Sequence, residues 1–98
     1  MIDFEKYQFD ISRICEKYSV KNLTVFGSAT SEHFHDKSDI DFLLELDGTQ
    51  NGIKRYMNIK FELEALFSRP VDLVMPKAIR NRRIKEYIFS ETRKLYVA

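Results

Sequence analysis

Apolar residues follow two rhythms along the chain. Phe4, Tyr7, Ile11, Ile14, Cys15 and Tyr18 recur at three- and four-residue steps, so residues 3–18 read as an amphipathic helix that Ser19 brings to an end. Leu23, Val25 and Phe26 then form a short β-prone segment, stopped by Gly27 and Ser28. Residues 29–38 are mostly polar, with room for a short helical turn, and "SDIDFLLEL" gives a second strand through Leu46. "DGTQNG" breaks the chain. Ile53, Tyr56, Met57, Leu63, Leu66 and Phe67 fit a second long helix, with Thr49 or Asn51 as its cap. Asn51-Gly52 is also a hairpin signal, but the helical period beyond it favours the helix. Pro70 and Pro76 bracket "VDLVM", a strand too short to be a helix. Residues 77–91 read as a third helix, with Ile79, Ile84, Tyr87 and Ile88 on one side, and "KLYV" as a terminal edge strand.

No repeat, linker or low-complexity tract divides the chain, so residues 1–98 are expected to form one domain. The element order implies an α/β fold, a small sheet packed with helices. The helix around 53–67 is long enough for a crossover, which makes strands two and three parallel. Asp39, Asp41 and Asp72 then gather near the amino-terminal ends of neighbouring strands. Gly27 and Ser28 reach them only if strand one runs antiparallel to strand two. The expected sheet is therefore mixed, unlike open parallel sheets that bind ligands at carboxyl ends.

Composition narrows the function classes. Hydrophobic residues make up 44% of the 98, including eight Phe and five Tyr, which excludes an intrinsically disordered chain. Sixteen Lys and Arg against fifteen Asp and Glu supply no global field toward nucleic acid or an anionic membrane. The single cysteine, Cys15, lies on the apolar stripe of the first helix and is expected to be a buried thiol. No basic-then-apolar leader follows Met1 and no stretch approaches a membrane span, so the expectation is a soluble cytoplasmic protein.

The unusual feature is acidic residues at the heads of strands that enter the core. In a strand, residues two apart share a face about 6.5–7 Å apart, so Asp39 and Asp41 project together while Ile40 and Phe42 face the other way. Two carboxylates that close repel, and burying either requires a positive partner. Hard oxygen donors suit Mg²⁺, which shares its shell with substrate phosphates. Asp72 interrupts an apolar strand and would point the same way from next door. A third acidic ligand allows two metals, the arrangement of phosphoryl and nucleotidyl transfer. Gly27, one of only three glycines, lets the backbone approach a phosphate, and Ser28 offers a hydroxyl and an amide.

The ordered set "VFGS", ten residues, "DIDFLLE" and then "RPVDLV" resembles the signature of the DNA polymerase beta-like nucleotidyltransferase superfamily, and within it the minimal, MNT-type members. The likeness covers nearly the whole chain. It implies that Gly27 and Ser28 contact nucleotide phosphates, that Asp39 and Asp41 bind two Mg²⁺ ions, and that Asp72 completes the catalytic metal site. It further implies attack by an acceptor hydroxyl on the α-phosphate of a nucleoside triphosphate, with ATP as the expected substrate and pyrophosphate released. Many relatives of this size are antitoxins paired with a HEPN-type RNase toxin, and some adenylylate a tyrosine on it. Many also carry Arg-Gly a few residues after Gly-Ser, where this chain has Ser31 and Glu32.

Other polar clusters read more plainly. His33, His35 and Asp36 crowd one loop without the further ligand of a zinc site. Arg80, Arg82, Arg83 and Lys85 make a basic patch whose simplest reading is a solvated helix face, and the near-zero net charge argues against free nucleic-acid binding. Most aromatics belong to the core, with Tyr56 and Tyr87 the candidates for an interface. No acceptor-binding lobe is evident in so small a domain, so a partner protein or a homo-oligomer is expected to supply one. The rival reading is a catalytically degenerate module of the same fold that neutralises a partner by occlusion.

Overall fold

The computed structural model describes residues 2–26, 39–75 and 92–98. A 3₁₀ turn over Phe4–Tyr7, started by Asp3 accepting from the Glu5 amide at 3.2 Å, runs into helix α1, Gln8–Lys17. Ser19, at φ 54°, takes the left-handed conformation that turns the chain out of α1, where the sequence places the helix end. Strand β1 is Val20–Phe26, β2 Ile40–Leu46, α2 Gly52–Phe67, β3 Val71–Val74 and β4 Thr92–Val97. The third helix expected at 77–91 lies outside the described residues.

The sheet order is β3-β2-β1-β4. β2 and β3 are parallel, joined by α2 as the crossover, while β1 is antiparallel to both β2 and β4. The mixed sheet and the terminal edge strand are thus as the pattern of apolar residues implies. Both helices pack on one face of the sheet, α1 over β1 and β4 and α2 over β3. Ile11, Ile14 and Cys15 from α1 meet Ile59, Leu63 and Phe67 from α2 above Leu23, Val25, Ile40, Phe42, Leu44 and Leu73. Cys15 is fully buried, and burial together with Glu16 pushes its thiol up to about 12, so it is inert packing.

Three expectations about α2 change. Its inward face is Ile59, Leu63 and Phe67, whereas Ile53 is 84% exposed and Met57 lies at the surface. Asn51 occupies the N-cap position with φ 53°, but its side chain caps nothing; its carbonyl instead accepts from the Arg55 amide at 2.8 Å. Tyr56, a candidate for an interface, is turned inward, its hydroxyl donating to the Leu73 carbonyl at 2.7 Å.

Arg55 fastens the sheet end farthest from the aspartates. Its guanidinium donates to the carbonyls of Tyr18 at 3.1 Å, Ser19 at 3.3 Å, Asp47 at 2.9 Å and Gly48 at 3.0 Å, uniting the α1–β1 turn with the β2–α2 loop. Arg55→Ala is expected to cost about 2–3 kcal/mol, in the range of hydrogen bonds to a charged group. Arg55→Lys should recover less than half, because an ammonium cannot reproduce the planar fork. Urea unfolding of the wild type and the two variants checks this, and equal midpoints for the wild type and Arg55→Lys would contradict it.

Candidate active site

The sheet register brings the acidic residues together. β2 and β3 pair Ile40 with Val71, Asp41 with Asp72 and Phe42 with Leu73, so the two aspartates stand side by side on adjacent parallel strands. Ile40, Phe42, Val71 and Leu73 are all buried, which forces the intervening Asp41 and Asp72 to the opposite face of the sheet. On the other side of Asp41 lies β1, which pairs Phe26 with it. Asp41 is half-buried between an aromatic neighbour and a like charge, whereas Asp72 and Asp39 are exposed, Asp39 just before β2 begins.

This placement has an electrostatic signature. The Asp41 carboxyl is pushed from its ordinary 3.8 to about 6, first by burial, then by the charges of Asp72 and Asp39 and by a side-chain hydrogen bond with Asp72. A carboxyl this reluctant to ionise gains most from an added cation, and each of its oxygens is a hard donor. Among the described residues, no three His, Cys, Asp or Glu side chains are gathered closely enough to hold a metal ion as they stand. Asp41 and Asp72 are a facing pair, with Asp39 near enough to be felt through its charge.

Gly27 and Ser28 lie outside the described residues, as do Ser31, Glu32, His33, His35, Asp36, Arg80, Arg82, Arg83, Lys85 and Tyr87. β1 ends at Phe26 opposite Asp41, so the strand that carries the "VFGS" motif does deliver its carboxyl end to the carboxylates. Phe26 is not singled out by the sequence pattern, which marks it as apolar without showing that it stands beside Asp41. A cavity of about 350 Å³ lies elsewhere, lined by Lys21, Leu46, Gly48, Thr49 and Met75 among others, near the carboxyl ends of β2 and β3. It shares no residue with the acidic group.

Known proteins share the family and the fold. The model of the nucleotidyltransferase domain family matches residues 11–95. The chain belongs to this family. A chain of Methanocaldococcus jannaschii provisionally named a protein adenylyltransferase is 40% identical over 73 residues, 74% of each chain. A solved structure of a minimal nucleotidyltransferase superposes with a TM-score of 0.75 at 22% identity, covering 94% of this chain and 95% of that one. Another, an MNT antitoxin in complex with a tri-AMPylated HEPN toxin of Shewanella oneidensis, superposes with a TM-score of 0.67 at 15% identity, covering 97% of this chain and 73% of that one. The minimal nucleotidyltransferase fold and the nucleotidyltransferase activity class follow from this membership. Among the described residues no helix is long and apolar enough to cross a membrane.

Proposed function

We propose that this nucleotidyltransferase moves AMP from ATP to a hydroxyl of a partner protein of the HEPN type, as the antitoxin of a toxin–antitoxin pair. The observation that carries the reading is the register of Asp41 against Asp72, with Asp41 held at about 6 by burial and by its two acidic neighbours. Like charges are gathered at a functional edge only where something positive completes them. Kinship with protein adenylyltransferases supports ATP and a protein acceptor.

In this reading Asp39, Asp41 and Asp72 hold Mg²⁺, two ions in the full site, and Gly27 and Ser28 contact the triphosphate. Mg²⁺, when bound, neutralises the phosphates and makes the acceptor hydroxyl easier to deprotonate. The acceptor oxygen then forms a bond to the α-phosphorus, the bond from that phosphorus to the bridging oxygen of the β-phosphate breaks, pyrophosphate departs and the hydroxyl proton passes to solvent. Asp41 and Asp72 define the position, because their strands are fixed by buried neighbours on both sides. Phe26 keeps one flank of Asp41 apolar, which strengthens its attraction for a cation.

Incubating the protein with α-labelled ATP, Mg²⁺ and a HEPN-type partner protein tests the proposal. Label is expected on the partner with the wild-type chain and not with Asp39→Asn or Asp72→Asn. Neutralisation of the partner without label, and no Mg²⁺-dependent rise in melting temperature with ATP, would establish the occlusion module in its place.

A further inference from the structure

Among the described strands β3 lies at the sheet edge with only four residues, yet it carries one of the three carboxylates. Such a strand has one row of main-chain groups paired with its neighbour and another facing outward, free to wander or to recruit a foreign strand. On the inner side Pro70 and β2 meet, the Ile40 amide donating to the Pro70 carbonyl at 3.1 Å. Main-chain groups alternate in direction along a strand, so those of Val71 and Leu73 face the outer edge, on either side of Asp72.

Helix α2 supplies a partner to each of three outward groups. The Tyr56 hydroxyl donates to the Leu73 carbonyl at 2.7 Å, Lys60 Nζ donates to the Val71 carbonyl, and Glu64 Oε2 accepts from the Val71 amide at 3.1 Å. These three residues stand four apart, one above the other on the helix, and Lys60 and Glu64 also pair with each other at 3.8 Å. The helix thus acts as a surrogate neighbouring strand built from side chains. Its rungs bracket one residue, Asp72.

We infer that the Tyr56–Lys60–Glu64 row is a positioning device that fixes β3 in register, so that Asp72 faces Asp41 and the acidic group binds its cation. This rests on the metal-dependent reading proposed above. It makes the crossover helix part of the catalytic apparatus without touching substrate, and none of the three is a catalytic residue. A side chain one strand removed from a site is worth keeping rigid when its neighbour repels it. Asp41 and Asp72 push against each other, and an edge strand held only on its inner side would yield to that push.

The test is direct Mn²⁺ binding by the full-length chain without nucleotide, read by electron paramagnetic resonance, beside the Michaelis constant for ATP. Tyr56→Phe removes one hydroxyl and keeps the ring, Lys60→Met removes the charge and keeps the stem, and Lys60→Arg restores a donor. The double variant Tyr56→Phe/Lys60→Met is expected to bind Mn²⁺ about tenfold more weakly, the scale of losing an outer-shell partner. Its Michaelis constant for ATP at saturating metal should stay within about twofold, and Lys60→Arg should bind Mn²⁺ nearly as wild type. Circular dichroism at the assay temperature ensures that folded protein is compared, with Tyr56→Phe alone as the milder variant. Wild-type Mn²⁺ affinity in the double variant, while Asp72→Asn loses it, overturns the positioning role alone. Wild-type affinity in Asp72→Asn itself sinks the metal reading, and the inference with it.

Discussion

Asp41→Asn is expected to abolish nucleotidyl transfer and, in the same molecule, to raise the melting temperature of the metal-free protein above about pH 6. Loss of activity should reach at least about 10²–10³-fold, the cost of deleting one group that stabilises charge in a transition state. The gain in stability has the opposite origin. Burial and the facing charges of Asp72 and Asp39 hold this carboxyl at about 6 instead of its ordinary 3.8. A carboxyl shifted upward by folding favours the fold while protonated; that contribution is full below 3.8 and is lost as the pH rises through about 6. The distance between the two values corresponds to at most about 3 kcal/mol, and for a side chain still half in water about 1 kcal/mol is the realistic share. Asparagine removes the penalty. At pH 8 the variant should melt about 4–8 °C higher than wild type, and at pH 4 the difference should shrink toward zero. Calorimetry in EDTA at the two pH values checks the sign. A difference independent of pH would mean that Asp41 does not feel Asp72 and Asp39. Added Mg²⁺ should narrow the gap at pH 8, because a cation stabilises only the chain that keeps the carboxylate.

The facing of Asp41 and Asp72 is legible in the chain itself. Alternation in "SDIDFLLEL" and "VDLV" sends Ile40, Phe42, Val71 and Leu73 to the core and leaves Asp41 and Asp72 the other face, and both strands behave so. A charge at a strand head breaks a local rule, and rules are broken where function outweighs packing. The parallel pairing of β2 and β3 is equally readable, since the length of α2 demands a crossover.

The parts that escape the sequence share a cause. α2 carries two apolar stripes, Ile59–Leu63–Phe67 and Ile53–Met57–Phe61, and periodicity alone cannot say which one turns inward. Tyr56, Lys60 and Glu64 look like an interface aromatic and two solvated charges, because their partners are main-chain groups of β3, which a pattern of side chains does not contain. Arg55 is invisible for the same reason, its partners being four carbonyls. Asn51 matches a capping pattern by residue type, but a left-handed backbone at that position turns its side chain away from the first helical amides. Contacts between a side chain and remote backbone are written in the fold, not in the spacing of residue types.

Phe67→Ala is expected to be strongly damaging for folding. Its ring ends α2 and packs on three others, with centroids 4.8 Å from Tyr7, 5.8 Å from Phe4 and 6.1 Å from Phe42. These four rings join the 3₁₀ turn, α2 and β2, and Phe42 is the residue after Asp41. Removing a buried Phe costs about 3–5 kcal/mol, because the lost transfer energy is compounded by a cavity that rigid neighbours cannot fill. Against a total of about 5–15 kcal/mol, that is a large fraction of what holds the chain together. The melting temperature should fall by more than about 12 °C. Phe67→Leu, which fills most of the space, should lose about a third as much, and Phe9→Ser, at a ring that is 80% exposed, should change stability by less than about 0.5 kcal/mol. Denaturant unfolding of the three variants orders them. An equal loss from Phe9 and Phe67 would show that the rings at the end of α2 do not form the packed junction on which the position of β2, and with it Asp41, depends.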